Sequence, residues 1–373
     1  MTPPPRTPPY LTVHFRDPVE GTSGYLVIDR LIDGLAAGGL RIRPGVDAQE
    51  LGELARNMTL KQAAAGIRVG GAKSGLDMDP ASPARPAVLK RFLEALRPML
   101  STCFNCGPDL NTTMRELEGV AQSVGLPSLK IAVGRSRGLS DAVFLERYAL
   151  FEARIDGWSV NELRAATAVA AAVTSTLRQL GLPRGRVAIQ GAGNMGGATA
   201  YLLAKAGIPV VAWADDEKCL LNPAGLDVTT LVRGRQAGRL PASPGAAPSK
   251  AVLTAEADVL VLAAISRAFG ADVVPTLKAR AIVEAANLAL THEVEELFHQ
   301  RGVAVIPDLL ASVGGSIAVE ALYVGAPKDG ETILRHVDQR ASALVTQLLE
   351  ASKAQKLSPR RIVDAQAAAA LNS

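Results

Sequence analysis

Residues 187–197 read VAIQGAGNMGG: a short apolar run passes into the pattern G-x-G-x-x-G, and a helical segment follows as far as Lys205. In a strand, turn and helix arranged this way, the three glycines permit a tight turn, a close approach of the backbone to a pyrophosphate, and close packing of the helix on the strand. The N-terminus of the helix would face the phosphates. The stretch therefore predicts a dinucleotide-binding site formed by Gly191, Gly193, Asn194, Met195 and Gly196.

The sequence around this motif predicts a parallel sheet. From about Leu182 onward, short apolar runs alternate with glycine-containing turns and longer helical segments. Strands that are covered by helices on both faces have this mostly apolar composition. We predict strands at residues 186–190, 209–214, 259–263, 281–284 and 303–306, and an exposed loop in the Pro/Gly/Ala/Ser-rich segment 234–250.

The second of these strands ends at Asp215, 24 residues after Gly191. A carboxylate at this position would accept a hydrogen bond from the ribose 2′-hydroxyl and would repel a 2′-phosphate. Asp215 therefore predicts NAD rather than NADP as the cofactor, with Asp216 and Glu217 as adjacent alternatives for this role.

The chain length and the change of pattern along it predict two domains. The 373 residues exceed what one hydrophobic core usually serves. Residues 11–149 show mixed strands (10–15 and 24–29) and amphipathic helices (47–63 and 85–101). The fold class is thus α/β: an N-terminal α/β substrate domain with a mixed sheet, a Rossmann-type doubly wound domain over residues 150–330, and a cleft between them. Residues 1–10, with five prolines, predict a disordered tail, and residues 331–373 predict helices that pack back on the first domain.

Composition and charge argue against several classes of function. The 40 Lys and Arg residues against 36 Asp and Glu give a net charge of +4, and the basic residues form no block, so nucleic acid is not an expected partner. The longest apolar runs, residues 165–173 and 259–265, are shorter than a membrane helix, and no secretory signal precedes them. Three cysteines fit a reducing compartment, so we expect a cytoplasmic protein, and neither the cysteines nor the four histidines show the spacing of a metal site.

Three short segments in the first domain, each containing paired glycines, a lysine or both, indicate a substrate site. They are Gly38-Gly39-Leu40-Arg41, Asn57-Met58-Thr59-Leu60-Lys61 and Gly70-Gly71-Ala72-Lys73-Ser74-Gly75. Glycines on both sides of Lys73 allow backbone and ligand to approach it closely. A lysine is usually a solvated surface charge, but two lysines in this setting predict placed functional groups.

On these segments, the chain resembles the glutamate/leucine/phenylalanine/valine dehydrogenase family over roughly residues 25–325. The resemblance implies that Lys61 holds the substrate α-carboxylate and that Lys73 is the catalytic lysine. The segment Gly107-Pro108-Asp109-Leu110-Asn111-Thr112 is similar to the P-D-x-N-T segment of the family, which implies that Asp109 moves protons to and from the amine nitrogen. The expected partners are an amino acid, its 2-oxo acid and ammonium, and the family implies a homo-oligomer.

The resemblance also assigns residues in the second domain and around the substrate side chain. It implies contacts of Thr167, Ala263 and Asn287 with the cofactor, and of Ser316 and Val319 with the substrate, on the helix that follows Gly314-Gly315. The residues expected to line the substrate pocket from the first domain are Ala37, Gly38, Gly39, Met58 and Gly107.

Departures from the family pattern indicate the kind of substrate. Ala37 stands where glutamate-specific members carry a lysine, and Val319 is apolar where those enzymes tend to carry a serine, so we predict an apolar or aromatic side chain. Two rivals within the class are a glutamate dehydrogenase and a specialised biosynthetic dehydrogenase acting on a non-proteinogenic amino acid. The alternative outside the class of active dehydrogenases is a catalytically altered, regulatory homologue that binds the cofactor. It is suggested by further departures from the family pattern at Ala263 and Ser312, and at Ala168 or Ala170.

Overall fold

The computed structural model describes residues 8–372, which form two compact units. The first comprises the chain up to Ala149 together with the residues from Ala370 onward, and the second comprises Leu150 to Ala369. Of the predicted N-terminal tail, residues 1–7 lie outside the described part of the chain. Across the described residues, none of the helices combines the length and the apolar character that crossing a bilayer requires.

The described residues of the first unit form five strands and six complete α-helices. The strands are β1 (Leu11–Arg16), β2 (Ser23–Ile28), β3 (Ala36–Ile42), β4 (Gly70–Leu76) and β5 (Phe104–Pro108). The helices are α1 (Ala48–Ala64), α2 (Arg85–Ala95), α3 (Arg97–Thr102), α4 (Met114–Ser123), α5 (Ile131–Ser136) and α6 (Asp141–Ala149). The strand order is β1-β2-β4-β3-β5, with β2 antiparallel to both β1 and β4 and with β3 parallel to both β4 and β5, so the predicted mixed sheet is confirmed.

A capping residue and a proline set the limits of helices in this unit. Asp47 caps α1 by accepting a hydrogen bond from the backbone N–H of Glu50, which satisfies one of the unpaired donors of the first turn. The predicted helix over residues 85–101 is instead two helices, because Pro98 lacks the N–H that would continue the ladder of α2.

The second unit contains nine strands and eight helices. The strands are β6 (Arg154–Ile155), β7 (Trp158–Ser159), β8 (Val187–Gln190), β9 (Val210–Ala214), β10 (Lys218–Leu221), β11 (Ala247–Pro248), β12 (Val259–Leu262), β13 (Ala281–Glu284) and β14 (Ala304–Ile306). The helices are α7 (Val160–Gln179), α8 (Asn194–Lys205), α9 (Val228–Gly234), α10 (His292–Gln300), α11 (Asp308–Ala311), α12 (Gly314–Val324), α13 (Gly330–Gln355) and α14 (Pro359–Asn372), of which only the end of α14 belongs to the first unit.

The larger sheet of this unit has the doubly wound order that the glycine motif predicts. Its order is β11-β10-β9-β8-β12-β13-β14. The five neighbouring strands β9, β8, β12, β13 and β14 run parallel to one another. The chain reverses its direction of winding between β8 and β12, and in open α/β sheets ligands bind at the carboxyl ends of the strands beside such a point. The predicted Rossmann-type sheet is therefore confirmed, with five strands at the predicted places.

Two expectations for this unit are wrong. Residues 331–369 pack within the second unit and not on the first, because the apolar stripe of α13 (Ile333, Val337, Ala341, Val345 and Leu348) is buried against the alanine-rich helix α7. Segment 234–250 is not simply an exposed loop. Leu240 is buried, Ala247 and Pro248 pair with β10, and Arg235 lies against the glycine-rich turn.

Candidate active site

One face of the mixed sheet carries the predicted substrate residues. Ala36, Leu40, Ala72 and Cys106 point into the hydrophobic core. Because side chains alternate along a strand, the neighbouring positions project from the opposite face. These positions hold Ala37, Gly39 and Arg41 on β3, Lys73 on β4, and Asn105 and Gly107 on β5.

The two residues predicted to carry the chemistry form an ion pair on this face. Lys73 Nζ lies 3.0 Å from Asp109 Oδ2, and Arg41 Nε donates to the same oxygen at 2.7 Å. Arg41 also forms a salt bridge with Glu50, whose Oε1 lies 2.5 Å from Arg41 Nη1. Glu50 forms a second salt bridge with Arg43. Asp109 is thus held between two cations.

The turn after β5 fixes the position of Asp109. Thr112 Oγ1 donates to the carbonyl oxygen of Leu40 at 2.8 Å and accepts from the backbone N–H of Asp109 at 3.0 Å. Asn111 has a positive φ of 60° and donates its side-chain amide to the carbonyl oxygen of Ile42 at 2.9 Å. The two side chains tie the turn to β3, so the Asp109 carboxylate is placed before any substrate arrives.

The charge state of Asp109 follows from these neighbours. Burial by itself would raise its pKa, but Lys73 and Arg41 outweigh burial and hold the pKa below its ordinary value. At neutral pH, Asp109 is therefore an ionised carboxylate in contact with an ammonium group. The carboxylate can accept a proton from a substrate ammonium, and the Lys73 ammonium 3.0 Å away can donate a hydrogen bond to a substrate oxygen.

The other predicted residues of this unit lie on β3, β5 and α1. Gly38 and Gly39 stand on β3 beside Cys106 and Gly107 of β5. Met58 and Lys61 are half-buried on α1 and lie three residues apart, which places them on one side of the helix.

Sequence reasoning missed two polar residues on this face. Lys130 is buried at 7% exposure, and a Cβ built on Gly107 would lie 3.3 Å from its Nζ. Asn105 is buried at 6% exposure, and its Oδ1 has no hydrogen-bond partner among the described residues. The available signal was the position of Lys130 between apolar residues, Leu129 and Ile131, which is unusual for a solvated lysine.

In the second unit, the glycine motif has the geometry needed for a dinucleotide. Gly191 has φ +106° and packs so closely that a Cβ would lie 2.7 Å from the backbone of Ala263, and a Cβ on Gly196 would lie 2.0 Å from the Gly191 carbonyl oxygen. Gly193 opens the twelve-residue helix α8, and a Cβ built there would meet no atom within 4 Å. The turn therefore leaves room for a phosphate at a helix N-terminus, and the residues present fit an NAD(P) pyrophosphate.

The remaining predicted residues of this unit stand at distinct places. Ala263 and Asn287 follow β12 and β13 at the carboxyl edge that also carries the glycine turn, and Asn287 is exposed. Thr167 is buried on α7, where its Oγ1 donates to the Leu163 carbonyl at 3.0 Å. On α12, Ser316 is half-buried and Val319 is buried one turn later.

The Asp215 carboxylate accepts several hydrogen bonds within the protein. The backbone N–H groups of Glu217, Lys218 and Leu240 donate to it at 2.8–2.9 Å, and Lys218 Nζ lies 3.2 Å away. Burial would raise the pKa of Asp215, but these donors outweigh it and lower the pKa. Asp216, by contrast, is exposed and pairs with Arg239 at 3.1 Å.

Arg235 is a second residue that sequence reasoning missed. Its Nη1 donates to the carbonyl oxygens of Ala192, at 2.5 Å, and Gly193. Its guanidinium also lies 6.0 Å from the centre of the Trp158 ring. Arg235 thus braces the glycine-rich turn, and no sequence signal pointed to it because it lies in the segment predicted to be exposed.

A glycine-rich turn on a doubly wound sheet and an ion pair between a buried lysine and a half-buried aspartate are typical of one class of protein, the nicotinamide-dependent dehydrogenases of amino acids. Two family models match the chain: Glutamate/Leucine/Phenylalanine/Valine dehydrogenase over residues 159–373, and Glu/Leu/Phe/Val dehydrogenase, dimerisation domain, over residues 10–124. The chain belongs to this family, and the resemblance drawn from its motifs is confirmed.

Individual relatives agree with the family. The NADP-specific glutamate dehydrogenase A1 of Halobacterium salinarum is 30% identical over 322 residues, which are 84% of this chain and 75% of the relative. The catabolic NAD-specific glutamate dehydrogenase of Bacillus subtilis is 27% identical over 76% of this chain and 66% of its own length. The leucine-bound crystal structure of a hetero-hexameric glutamate dehydrogenase from Thermus thermophilus superposes with a TM-score of 0.77 at 27% identity, covering 96% of this chain and 87% of the other.

Proposed function

We propose that this protein interconverts an L-amino acid and its 2-oxo acid with release or uptake of ammonium, and that Lys73 and Asp109 carry the chemistry. The observation that supports this most directly is the 3.0 Å contact between Lys73 and Asp109 on the face of the mixed sheet opposite its main hydrophobic core. Lys61 would hold the α-carboxylate. Bound NAD(P) would supply the hydride acceptor.

The roles of the two residues follow from their charges. Asp109, ionised beside Lys73 and Arg41, accepts a proton from the substrate ammonium so that the nitrogen lone pair becomes available. Lys73 donates a hydrogen bond to the oxygen that a water molecule brings to the substrate α-carbon, and its ammonium group stabilises the negative charge that develops on that oxygen. The family assignment and the match to a dimerisation domain support a homo-oligomer.

We propose a substrate side chain without a carboxylate. Ala37 provides no cation, and the basic residues that could replace one are engaged within the protein. Arg41 pairs with Asp109 and Glu50, the exposed Arg68 pairs with Asp33, and Lys130, beside Gly107, also interacts with other residues of the chain. Burying an unpaired carboxylate costs several kcal/mol. The expected apolar or aromatic side chain thus remains our prediction, with a glutamate dehydrogenase as the second candidate because of the relatives' names.

Reductive amination of a panel of 2-oxo acids with ammonium tests this function. We expect branched or aromatic 2-oxo acids to exceed 2-oxoglutarate in kcat/KM by about tenfold or more, which corresponds to about 1.4 kcal/mol. Oxidation of reduced nicotinamide followed by absorbance is the measurement. If 2-oxoglutarate is the best substrate of the panel, the glutamate candidate replaces ours.

For the cofactor, we propose a preference for NAD that depends on Asp216 rather than on Asp215. An exposed carboxylate at this turn repels a 2′-phosphate, and removing it would leave Arg239 nearby as a partner for that phosphate. We expect Asp216→Ser to raise the NADP-to-NAD ratio of kcat/KM about tenfold. Asp215→Asn should lower the thermal midpoint of unfolding and leave the NADP-to-NAD ratio of kcat/KM within about twofold. The reason is that the oxygens of Asp215 accept hydrogen bonds from backbone N–H groups of the protein. If Asp215→Asn changes the NADP-to-NAD ratio and Asp216→Ser does not, Asp215 determines the cofactor preference.

A further inference from the structure

A glycine on the first turn of α8 makes room for the Arg235 side chain. Gly197 is buried, and a Cβ built on it would lie within 2.5 Å of three atoms of the Arg235 guanidinium group. Non-bonded carbon atoms pack best at about 3.5–4.0 Å, so any larger residue at position 197 would displace the arginine. The place of Arg235 on α8 therefore depends on Gly197.

The segment that carries Arg235 is fixed to the end of β9. The N–H of Gln236 donates to the carbonyl oxygen of Arg239 at 3.1 Å, and the N–H of Arg239 donates to the carbonyl oxygen of Gln236 at 2.9 Å. The N–H of Leu240 donates to the Asp215 carboxylate at 2.8 Å. This short hairpin holds the backbone of Arg235 beside the glycine-rich turn, which its side chain contacts directly.

Arg235 is a half-buried cation without a counter-charge. No carboxylate of the described residues forms an ion pair with it, and its Nε is buried without a hydrogen-bond acceptor among those residues. Burial lowers the pKa of its guanidinium group. A charge that is held away from water without a counter-charge costs free energy, and a bound anion would offset this cost.

The hydrogen bonds of Arg235 go to the two peptide groups that lead into α8. Its Nη1 donates to the carbonyl oxygens of Ala192 and Gly193, and the N–H groups of the same two peptides belong to Gly193 and Asn194. In a trans peptide, the N–H points away from the carbonyl oxygen. Neither N–H has an acceptor among the described residues. Arg235 therefore lies behind two N–H groups that are available to an anion at the helix N-terminus.

We propose that Arg235 is a positioning residue for the pyrophosphate of the dinucleotide and that it acts through its charge. Its hydrogen bonds keep the N–H groups of Gly193 and Asn194 directed out of the turn, and its positive charge polarises both peptide groups and attracts the phosphates. The pyrophosphate is common to NAD and NADP, so Arg235 raises the affinity for both and does not choose between them. This inference rests on the proposed function, because the ligand is the cofactor of that reaction.

Binding of NADH and NADPH, followed by nicotinamide fluorescence, tests the proposal. We expect Arg235→Ala to raise the Kd of each cofactor that the wild type binds about tenfold. Gly197→Ala should raise it by a similar factor, because the new methyl group displaces the guanidinium group. The double variant should bind no more weakly than Arg235→Ala, since the group to be displaced is already gone. Arg233→Ala removes an exposed charge two residues away and should keep the Kd within about twofold.

Ionic strength separates the charge of Arg235 from its packing. The ratio of the Kd of Arg235→Ala to that of the wild type should be smaller at about 500 mM than at about 50 mM KCl, because salt screens the attraction between the arginine and the phosphates. An effect on the shape of the turn alone would give the same ratio at both concentrations. The number of binding sites per chain and the thermal midpoint without cofactor separate a loss of affinity from a loss of folded protein.

Three results would overturn the proposal and leave the proposed function standing. They are a Kd of Arg235→Ala within about twofold of wild type, a ratio that is the same at both salt concentrations, and losses that multiply in the double variant. The last result would mean that Gly197 and Arg235 act separately, contrary to their contact in the structure. A wild-type protein that binds neither NADH nor NADPH would overturn the proposed function, and this inference with it.

Discussion

Replacing Lys73 with alanine or Asp109 with asparagine should each lower turnover about 100-fold or more, the lower end of what a general acid or base contributes. The reason is the arrangement of the pair: a carboxylate held ionised by two cations, with an ammonium 3.0 Å from its oxygen. Steady-state kinetics with a saturating 2-oxo acid and ammonium measures the effect. Cofactor binding, followed by the fluorescence of reduced nicotinamide, should stay within about threefold of wild type, because both residues belong to the first unit and the glycine turn to the second.

Lys61→Ala provides the contrast. A cation that holds the α-carboxylate acts equally on the bound substrate and on the transition state, so its loss should raise KM more than it lowers turnover. Turnover near the wild-type value in either Lys73→Ala or Asp109→Asn would show that the pair is structural. An equal loss of turnover in Lys61→Ala would show that the three lysine and aspartate residues act as one unit.

The local signals in the sequence were sufficient for the five parallel strands of the second unit's larger sheet, but not for β10 and β11. Each of the five is a short apolar run, and the turn after β8 requires glycine because Gly191 has a positive φ and Gly196 approaches a carbonyl oxygen closely. These are properties of consecutive residues, so they can be read without knowing the fold. The ends of the strands were predicted to within one or two residues for the same reason.

Pairings between distant residues could not be predicted from local patterns. Arg41 and Asp109 are 68 positions apart, and an arginine in a strand gives no indication of which carboxylate it will meet. Lys130 reaches the substrate face only because Glu118 and β5 fix the turn before it. The amphipathic pattern of α13 showed that it has a face to bury, but it did not show which domain would cover that face.

Arg360 is the most consequential of the residues that the sequence did not reveal, and its replacement should strongly destabilise the second unit. It lies on α14 with 5% of its side chain exposed and donates to Glu295 at 2.7 and 2.8 Å and to Asp308 at 3.1 Å. A third carboxylate, Glu284, lies 3.5 Å away. Burial and the charges of Glu295 and Asp308 raise the pKa of Glu284 well above its ordinary value, even with the arginine present.

Removing the cation leaves three buried carboxyl groups without their counter-charge. Breaking a buried ion pair from one side costs about 3–5 kcal/mol, and we expect Arg360→Met to lower the free energy of unfolding in urea by that amount at pH 7.5. Arg361→Met is the matched control: the neighbouring side chain is 59% exposed and pairs with Glu296, so its loss should cost less than about 1 kcal/mol. If the two variants unfold within about 0.5 kcal/mol of each other, the cluster contributes no net stability.

The deficit of Arg360→Met should also depend on pH, in a direction fixed by linkage. A carboxyl group whose pKa is higher in the folded than in the unfolded state binds its proton more tightly when folded, so its stability contribution is lost as the pH rises from the unfolded pKa through the folded one. Without Arg360, the raised pKa of Glu284 should rise further, since the cation that lowers it is gone and only protonation can then remove the charge of this carboxyl group. Unfolding at pH 5.5 should therefore show a smaller difference between Arg360→Met and Arg361→Met than unfolding at pH 7.5. A difference that is the same at both values, or larger at pH 5.5, would mean that the lost stability comes from packing of the arginine side chain and not from the buried charges.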